Sequence, residues 1–289
     1  MKIAIITDIH HGPQSHTKEA GWDALKVMRD FVWHAGEQGA DLVLDLGDRI
    51  SDTNRETDRQ VTAEVAEVFR SFTGPHYHLL GNHDVNNLTI EDSEEILDQS
   101  MQSQVIDLGD LRLVLWQPGV KLTRGVGFPE AASGLPWLVE ALNADERPAI
   151  IATHVPLSGH SQVGNYYFER NPEYSTYPDN AAVLAAVEAT GKAALWLSGH
   201  VHWNTLNNVR GLPHLTMQSV SERFTTYPHG AAAFAMLEIA DGRFSIDVHG
   251  NDPFHARLPF RKSGDRPWMP PLAPFEVPAE QRQAELESA

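Results

Sequence analysis

Short apolar segments alternate with longer amphipathic segments over the first two thirds of the chain. The apolar segments are five or six residues long and rich in branched side chains, which is typical of buried strands; they cover residues 2–7, 41–46, 76–80, 148–153 and 193–198. The amphipathic segments are typical of helices packed on a sheet; they cover residues 17–38, 56–72, 90–101, 134–143 and 179–190. This alternation predicts βαβ units and at least one largely parallel sheet.

The pattern changes after residue 202. Apolar runs at 205–209, 213–217, 231–239 and 243–249 follow one another without helical segments, which predicts a series of antiparallel strands. From residue 251 the chain is rich in proline and charge. We therefore expect a single folded domain over residues 1–250 and an extended tail over residues 251–289.

Composition and charge narrow the possible partners. The chain of 289 residues has a formal net charge of −17, and a surface this acidic repels polyanions. We therefore expect neither nucleic acid nor an anionic membrane as a partner. The chain has no cysteine, which excludes disulfides and thiolate chemistry and fits a reducing compartment. The first apolar run is too short for a signal peptide, and no run is long enough to cross a bilayer, so we expect a cytoplasmic protein.

Each of the five predicted buried strands is followed, within a few residues, by side chains that can bind a metal ion. These side chains are Asp8, His10, Asp48, Asn82, His83, His154, His200 and His202. Ligands of α/β sheets bind at the carboxyl ends of the strands, so we expect these residues to converge. Each motif alone is more often a turn or a structural histidine. Together, at five strand ends, they indicate one shared site.

The motifs Asp8-x-His10, Gly47-Asp48, Gly81-Asn82-His83-Asp84, His154 and Gly199-His200-x-His202 resemble the signature of the calcineurin-like metallophosphoesterases. The resemblance covers residues 8–202 and fills every ligand-type position. It implies an α/β fold, a four-layer α-β-β-α sandwich, with two metal ions at the carboxyl edge of the sheets. In layout the chain is most similar to class III cyclic-nucleotide and glycerophosphodiester phosphodiesterases.

The resemblance also implies a role for each residue. One metal ion would be held by Asp8, His10 and His202, the other by Asn82, His154 and His200, with Asp48 between them. These ligand types suit manganese, iron or zinc better than calcium or magnesium. His83 has the position of the catalytic acid. Asp84 either orients the ring of His83 or is an ordinary turn aspartate.

The implied chemistry is hydrolysis of a small organic phosphate ester. Two cations about 3.5–4 Å apart generate an oxygen nucleophile at neutral pH and neutralise the charge on the phosphoryl group. In protein phosphatases of the family an aspartate stands three residues after the bridging one, where this chain has Ser51, so that substrate class is not favoured. Diesters carry one charge fewer than monoesters and depend less on arginine. We therefore expect a phosphodiesterase; the alternatives are a phosphomonoesterase and a non-catalytic scaffold.

The substrate side is less defined by the sequence. Candidate substrate contacts are Asn82, His11, His160 and Arg49, with Asn54 and Arg55 as further candidates for the phosphate. The segment 158–178 is rich in aromatic residues and directly follows His154. It is either a lid that stacks a base or cages a cation, or a packed loop or subunit contact. We expect any homo-oligomer to form through this segment or through the C-terminal tail.

Overall fold

The computed structural model describes residues 1–13, 24–266, 268–269, 271–274 and 286. Within these residues the helices are α1 (Ala24–Glu37), α2 (Arg55–Arg70), α3 (Ile90–Leu97), α4 (Leu135–Asn143) and α5 (Asn180–Thr190). The first seven strands are β1 (Lys2–Ile6), β2 (Leu42–Asp45), β3 (His76–His78), β4 (Gln104–Asp107), β5 (Arg112–Leu115), β6 (Ala149–Ala152) and β7 (Ala193–Ser198). The others are β8 (Thr205–Val209), β9 (Leu212–Thr216), β10 (Phe234–Ala240), β11 (Arg243–His249) and β12 (Phe254–Pro259).

The strands form two six-stranded mixed sheets. The first has the order β12-β11-β10-β1-β2-β3, in which β1, β2 and β3 are parallel and β10 is antiparallel to β1. The second has the order β4-β5-β6-β7-β9-β8, in which β5, β6, β7 and β9 are parallel. The parallel strands are thus divided between two sheets. The first sheet carries antiparallel strands at one edge, and the second carries one at each edge.

The sheets pack face to face and each carries helices on its outer face. Alternate residues of β1 show this arrangement, because Ile3 and Ile5 lie in the cluster between the sheets, whereas Ala4 and Ile6 contact the helix layer. Helices α1 and α2 pack on the first sheet, and α4 and α5 pack on the second. The predicted four-layer α-β-β-α sandwich is confirmed.

Most predicted elements form, but three strands were not expected from the sequence. Strands β4 and β12 lie at sheet edges and alternate half-buried with exposed positions, so they lack the continuous apolar run of a buried strand. Strand β5 is fully buried but begins with Arg112, whose guanidinium donates to the carbonyl oxygens of Ala141 and Leu142. Among the described helices, none combines the length and apolarity that a membrane span requires.

The boundary expected at residue 251 also differs from the structure. Residues 254–259 form β12, which pairs with β11 through six residue pairs and extends the first sheet. Folded structure therefore continues beyond the expected domain end. Residues 17–23 of the first predicted helix and most of the expected tail after residue 274 lie outside the described residues.

Candidate metal centre

The parallel strands of both sheets end at one rim of the sandwich. Asp8 and His10 follow β1, and Asp48 follows β2 in the first sheet; His200 and His202 follow β7 in the second. The two halves are joined directly, because the backbone N–H of His200 donates to Asp8 Oδ2 over 2.9 Å. The structure brings the side chains together as the strand-end pattern predicted.

Three groups of potential ligands form at this rim. Their members are Asp8, His10 and His202; His10, Asp48 and His83; and Asp48, His154 and His200. Within each group, one ligand atom from every residue lies within 4.8 Å of those of the others. Asp48 belongs to the second and third groups, and the second shares His10 with the first, so the Asp48 carboxylate lies close to ligand-type residues of both proposed cation positions.

In the first group, the nitrogen and oxygen atoms face each other. His202 Nε2 lies 3.1 Å from both Asp8 Oδ1 and His10 Nε2. The other oxygen of Asp8 is fixed by the hydroxyl of Thr7, which donates to Oδ2 over 2.7 Å. Asp8 Oδ1 therefore remains directed toward the two imidazole rings, as a ligand to a shared cation would be.

The third group, which contains His154 and His200, is held in an equally defined orientation. His154 Nδ1 donates to the carbonyl of Leu46 over 2.9 Å, which leaves Nε2 facing Asp48 Oδ2 at 3.3 Å. His200 Nε2 donates to the carbonyl of Tyr174 over 2.7 Å, which leaves Nδ1 available. Hydrogen bonds of this kind to the far nitrogen fix the tautomer and orientation of metal-binding histidines.

The chemistry of these residues fits a bound cation. Asp8 Oδ1, Asn82 Oδ1 and His154 Nε2 are buried and make no hydrogen bond. Buried polar atoms without partners are costly, and two cations, one bound at Asp8 and the other at Asn82 and His154, would satisfy all three atoms. Imidazole, carboxylate and amide ligands without thiolate are the types that manganese, iron and zinc accept.

The backbone at the rim adopts conformations that residues other than glycine rarely adopt. Asp8, His10, Asp48, His200 and His202 all have φ between 51° and 69°, in the left-handed region. Such residues cost about 1–3 kcal/mol each and persist where the surrounding structure holds them. Here the two sheets hold five of the ligand-type residues in strained conformations that direct them toward one another.

Two glycines allow the close approach of the ligand segments. A Cβ at Gly81 would lie 2.1 Å from Asp48 Oδ1, and one at Gly199 would lie 2.1 Å from the hydroxyl oxygen of Thr7 and 2.5 Å from Asp8 Oδ2. Neither position can carry a larger residue without displacing a carboxylate at the rim. The Gly81-Asn82 and Gly199-His200 pairs of the sequence motifs thus have a steric reason.

Burial keeps two of the imidazole rings neutral. It lowers the pKa of His10 to about 3, with His202 adding to the effect, and the pKa of His200 to about 4, with His154 adding to it. Burial also disfavours charge on His154 and His202, but the adjacent carboxylates outweigh it and raise their pKa values to about 9 and about 10.

The two carboxylates of the rim are held in the ionised form. Burial by itself would raise their pKa values, but His202 beside Asp8 and His154 beside Asp48 keep both pKa values below the usual range for aspartate. Metal binding requires ionised carboxylates and neutral imidazoles. Asp8 and Asp48 already meet this requirement, whereas His154 and His202 carry protons that a cation would displace.

His83 borders the same centre from the cavity side. Its Nδ1 contacts Asp52 Oδ1, and its ring lies edge-on to His10 with the centroids 4.9 Å apart. Asp52 was not assigned a role from the sequence, although it stands only four residues after Asp48. Burial opposes protonation of His83, but Asp48 and Asp52 raise its pKa above the ordinary value.

Asp84 does not orient His83. Its carboxylate is buried and accepts backbone N–H groups from Asp48, Arg49 and Gly81 over 2.9–3.0 Å. The residue therefore organises the turns around Asp48, which corrects the orienting role and agrees with the other role considered for it, that of a turn aspartate. The sequence shows that Asp84 is adjacent to His83 along the chain, but it does not show which groups the Asp84 side chain contacts in the fold.

Three expected substrate contacts are also corrected. Arg49 is fully buried, and its guanidinium donates to Asp45 and to the carbonyl of Leu79. His11 Nε2 lies 2.8 Å from Glu64 Oε2, and His160 contacts Ser158 and Gln162; neither histidine lines the cavity.

The two further phosphate candidates are engaged elsewhere as well. Asn54 caps helix α2, where its side chain accepts from the backbone of Thr57. Arg55 makes a two-pronged contact with Asp92, its Nε and Nη2 each reaching one carboxylate oxygen. Neither residue lines the cavity.

A cavity of about 600 Å³ opens at the rim. Its floor includes His10, Asp48, Asn82, His83, His200 and His202. The aromatic segment 158–178 forms another wall of the cavity, to which it contributes Asn165, Tyr166, Tyr167, Phe168 and Tyr174. The segment therefore borders the site, and two of its aromatic residues, Phe168 and Tyr177, are buried. Glu222 and Arg124 also line the cavity, and neither was singled out from the sequence.

The comparisons with known proteins agree with this geometry. A sequence model of the family described as calcineurin-like phosphoesterase matches residues 1–204. No curated protein matches the chain. Among solved structures, the chain is similar to a dimetal phosphatase from Danio rerio, with a TM-score of 0.70 and 14% identity over 90% of this chain and 99% of that one.

Two further structures share the fold. GAP50, described as the anchor in the inner membrane complex of Plasmodium, has a TM-score of 0.57 and 11% identity over 91% of this chain and 89% of its own. Purple acid phosphatase PPD1 from yellow lupin has a TM-score of 0.56 and 13% identity over 88% of this chain and 52% of its own. At these identities the likeness concerns the fold alone. Because the matched region covers more than half of the sequence and includes every ligand-type residue, the chain belongs to the calcineurin-like phosphoesterase family.

Proposed function

We propose that the protein is a dinuclear metal-dependent phosphodiesterase that hydrolyses small organic phosphate esters of the cyclic-nucleotide or glycerophosphodiester type. The observation that supports this most directly is the position of Asp48, which belongs to two ligand groups at once and faces the cavity. The family uses a dinuclear metal centre, and six of the seven ligand-type residues of this chain fall in the three ligand groups. The seventh, Asn82, lines the cavity and has a buried Oδ1 that makes no hydrogen bond.

In this proposal Asp8, His10 and His202 hold one cation, and Asn82, His154 and His200 hold the other, with Asp48 shared. The bound pair supplies a nucleophile at neutral pH and neutralises charge on the phosphoryl oxygens. Manganese, iron and zinc fit the donor set.

His83 is the proposed general acid. With Nδ1 held by Asp52, Nε2 is the nitrogen available to the cavity, and it donates a proton to the departing alkoxide. Against the effect of burial, Asp48 and Asp52 raise the pKa of His83, which favours the protonated ring that an acid requires. Asp52 holds the ring in the orientation that this transfer needs.

The distribution of arginines supports a diester substrate. Arg49 is buried, and Arg55 and Arg59 pair with Asp92. Among the described residues that line the cavity, Arg124 is the only arginine, and it lies on an exposed turn. A monoester dianion is commonly held by an arginine fork, and a diester monoanion needs less positive charge.

Two other functions remain as alternatives. A phosphomonoesterase with the same centre is supported by Arg124, whose guanidinium at the cavity could contact a second negative charge. A non-catalytic scaffold is the alternative from another class, since a fold does not fix a function and GAP50 is described as an anchor. The complete ligand set and the open cavity favour hydrolysis over that role.

The substrate class is tested by comparing two esters. We expect the protein loaded with Mn²⁺, Fe²⁺ or Zn²⁺ to hydrolyse bis(4-nitrophenyl) phosphate with a kcat/KM at least about tenfold above that for 4-nitrophenyl phosphate, a difference of about 1.4 kcal/mol. Elemental analysis of the same batch gives the metal content. Higher kcat/KM for the monoester would favour the phosphomonoesterase, and two bound metals without hydrolysis of either ester would favour the scaffold. Cyclic nucleotides and glycerophosphodiesters form the second panel.

Replacing His83 with alanine is expected to slow hydrolysis by about 10²–10⁴-fold for esters with poor leaving groups, and much less for nitrophenyl esters. The reason is that a poor leaving group needs its proton during bond cleavage. Asp52→Asn should show the same trend with a smaller loss. His255→Gln, at an exposed position on β12, is the matched control. A loss in His83→Ala that is equal across leaving groups would contradict the acid role.

A further inference from the structure

Glu222 lies at the same rim but follows a sixth strand, β9, which is parallel to β7. The segment that carries it is attached to the metal centre through Ser219. The hydroxyl of Ser219 donates to the carbonyl of Asp8 over 2.8 Å and accepts the backbone N–H groups of Ser221 and Glu222. Glu222 itself is buried, so its carboxylate is held in a fixed position beside the centre.

The carboxylate of Glu222 contacts the centre and the cavity wall with one oxygen. Oε2 lies 3.5 Å from His202 Nδ1 and accepts the hydroxyl of Tyr166 over 2.9 Å. The other oxygen accepts the backbone N–H of Arg223 over 2.6 Å. His202 Nε2 lies on the far side of the ring, facing Asp8. Holding the proton on Nδ1 leaves Nε2 free to bind a cation.

Tyr166 belongs to the aromatic segment 158–178 and lines the cavity. Its ring is 59% exposed and packs on Phe224 with the centroids 4.9 Å apart. The neighbouring Asn165 is buried and donates to the carbonyl of Val201, between the two histidines that follow β7. The aromatic wall is thus fastened to the His200–His202 segment at two adjacent residues, and Glu222 provides the side-chain contact.

We propose that Glu222 is a positioning residue that orients His202 for metal binding and fixes the Tyr166 wall of the substrate cavity through the same carboxylate. The proposal has a metal half, the orientation of His202, which rests on the ligand role of His202. Its wall half, the fixing of Tyr166 beside the substrate, rests on the proposed function. It links two properties that are otherwise independent, the affinity for metal and the affinity for ester. A carboxylate that orients a metal-binding histidine contributes about 10–100-fold to metal affinity.

The metal half is tested without substrate. Isothermal titration of the metal-free protein with Mn²⁺ should show 10–100-fold weaker binding at one site in Glu222→Gln, with two sites still present. Tyr166→Phe should bind Mn²⁺ within twofold of the natural protein, because it lacks only the hydroxyl. Glu169→Gln, whose carboxylate lies in the same segment and accepts from Gly164, is the control and should be unchanged. Unchanged Mn²⁺ binding in Glu222→Gln would overturn the proposal.

The wall half is tested with bis(4-nitrophenyl) phosphate and Mn²⁺ at saturating concentration. Tyr166→Phe and Glu222→Gln should each raise KM several-fold, and the double variant should have the KM of Glu222→Gln alone, because both changes break one contact. Additive effects, or an unchanged KM in Tyr166→Phe, would overturn the shared contact.

If the diester is not hydrolysed, its dissociation constant from the Mn²⁺-loaded protein replaces KM. If Glu222→Gln does not fold, Tyr166→Phe still decides the wall half, and Glu222→Asp, too short to reach both partners, decides the metal half.

Discussion

Asp48→Asn is expected to reduce hydrolysis by more than about 10²-fold and to remove at least one of the two metal ions. Loss of a residue that only orients a ligand already costs about 10–100-fold, and loss of a shared ligand costs more. Asp48 Oδ1 accepts the backbone N–H of His83, which asparagine can retain through its oxygen. The amide NH2 would then replace Oδ2 beside His154 and present hydrogens where a cation should bind.

The measurement combines elemental analysis, Mn²⁺ titration and ester hydrolysis on one preparation. Asp107→Asn is the control, because its side chain is 67% exposed and pairs with Arg147 far from the rim. We expect that control to keep both metals and full activity. An Asp48→Asn protein that retains two metals and normal turnover would show that Asp48 is not shared between them.

Arg49→Met is expected to lower the free energy of unfolding by about 3–5 kcal/mol, because removing one partner of a buried ion pair leaves charge without compensation. Arg49 Nη1 lies 2.8 Å from Asp45 Oδ2, and Nη2 lies 3.0 Å from Asp84 Oδ2, with all three side chains buried. Burial, together with Asp48 and Asp45, already raises the pKa of Asp84 to about 6 against the effect of Arg49. Without the guanidinium, Asp45 and Asp84 lose the cation that contacts both of them, and their carboxylates repel each other.

Urea unfolding followed by circular dichroism measures this loss. Arg70→Met is the matched control, since Arg70 is half-exposed and pairs with the exposed Glu67, and such pairs contribute less than about 1 kcal/mol. If Arg49 contacted substrate instead, the variant would keep its stability and show only a raised KM. That outcome would restore the role expected from the sequence.

The sequence predicted the fold well where strands are buried on both faces. The strands β1, β2, β6 and β7 are apolar except at their ends, where Lys2, Asp45 and Ser198 lie, so their pattern is easy to recognise. Edge strands such as β4 and β12 are half-exposed, and their alternation resembles that of a polar loop. The division of the parallel strands between two sheets also depends on which strands pair, and a local pattern does not contain that information.

The candidate site, like the fold, could be predicted only in part from the sequence. Ligand-type residues at strand ends could be predicted to converge, because strand direction alone decides where they lie. The partners of those residues could not. Asp52 reaches His83 and Glu222 reaches His202 through contacts between distant segments, while Asp84 and Arg49, which stand beside motif residues in the chain, turn inward to the core.

The two halves of the rim belong to different layers of the sandwich: Asp8, His10 and Asp48 follow strands of one sheet, and His154, His200 and His202 follow strands of the other. A cation bound between them would cross-link the sheets, so its binding energy would add to the resistance of the whole molecule to unfolding. At a hundredfold excess over the dissociation constant this linkage is worth about 2.7 kcal/mol. Metal supply would then govern how long the protein survives proteolysis as well as how fast it works.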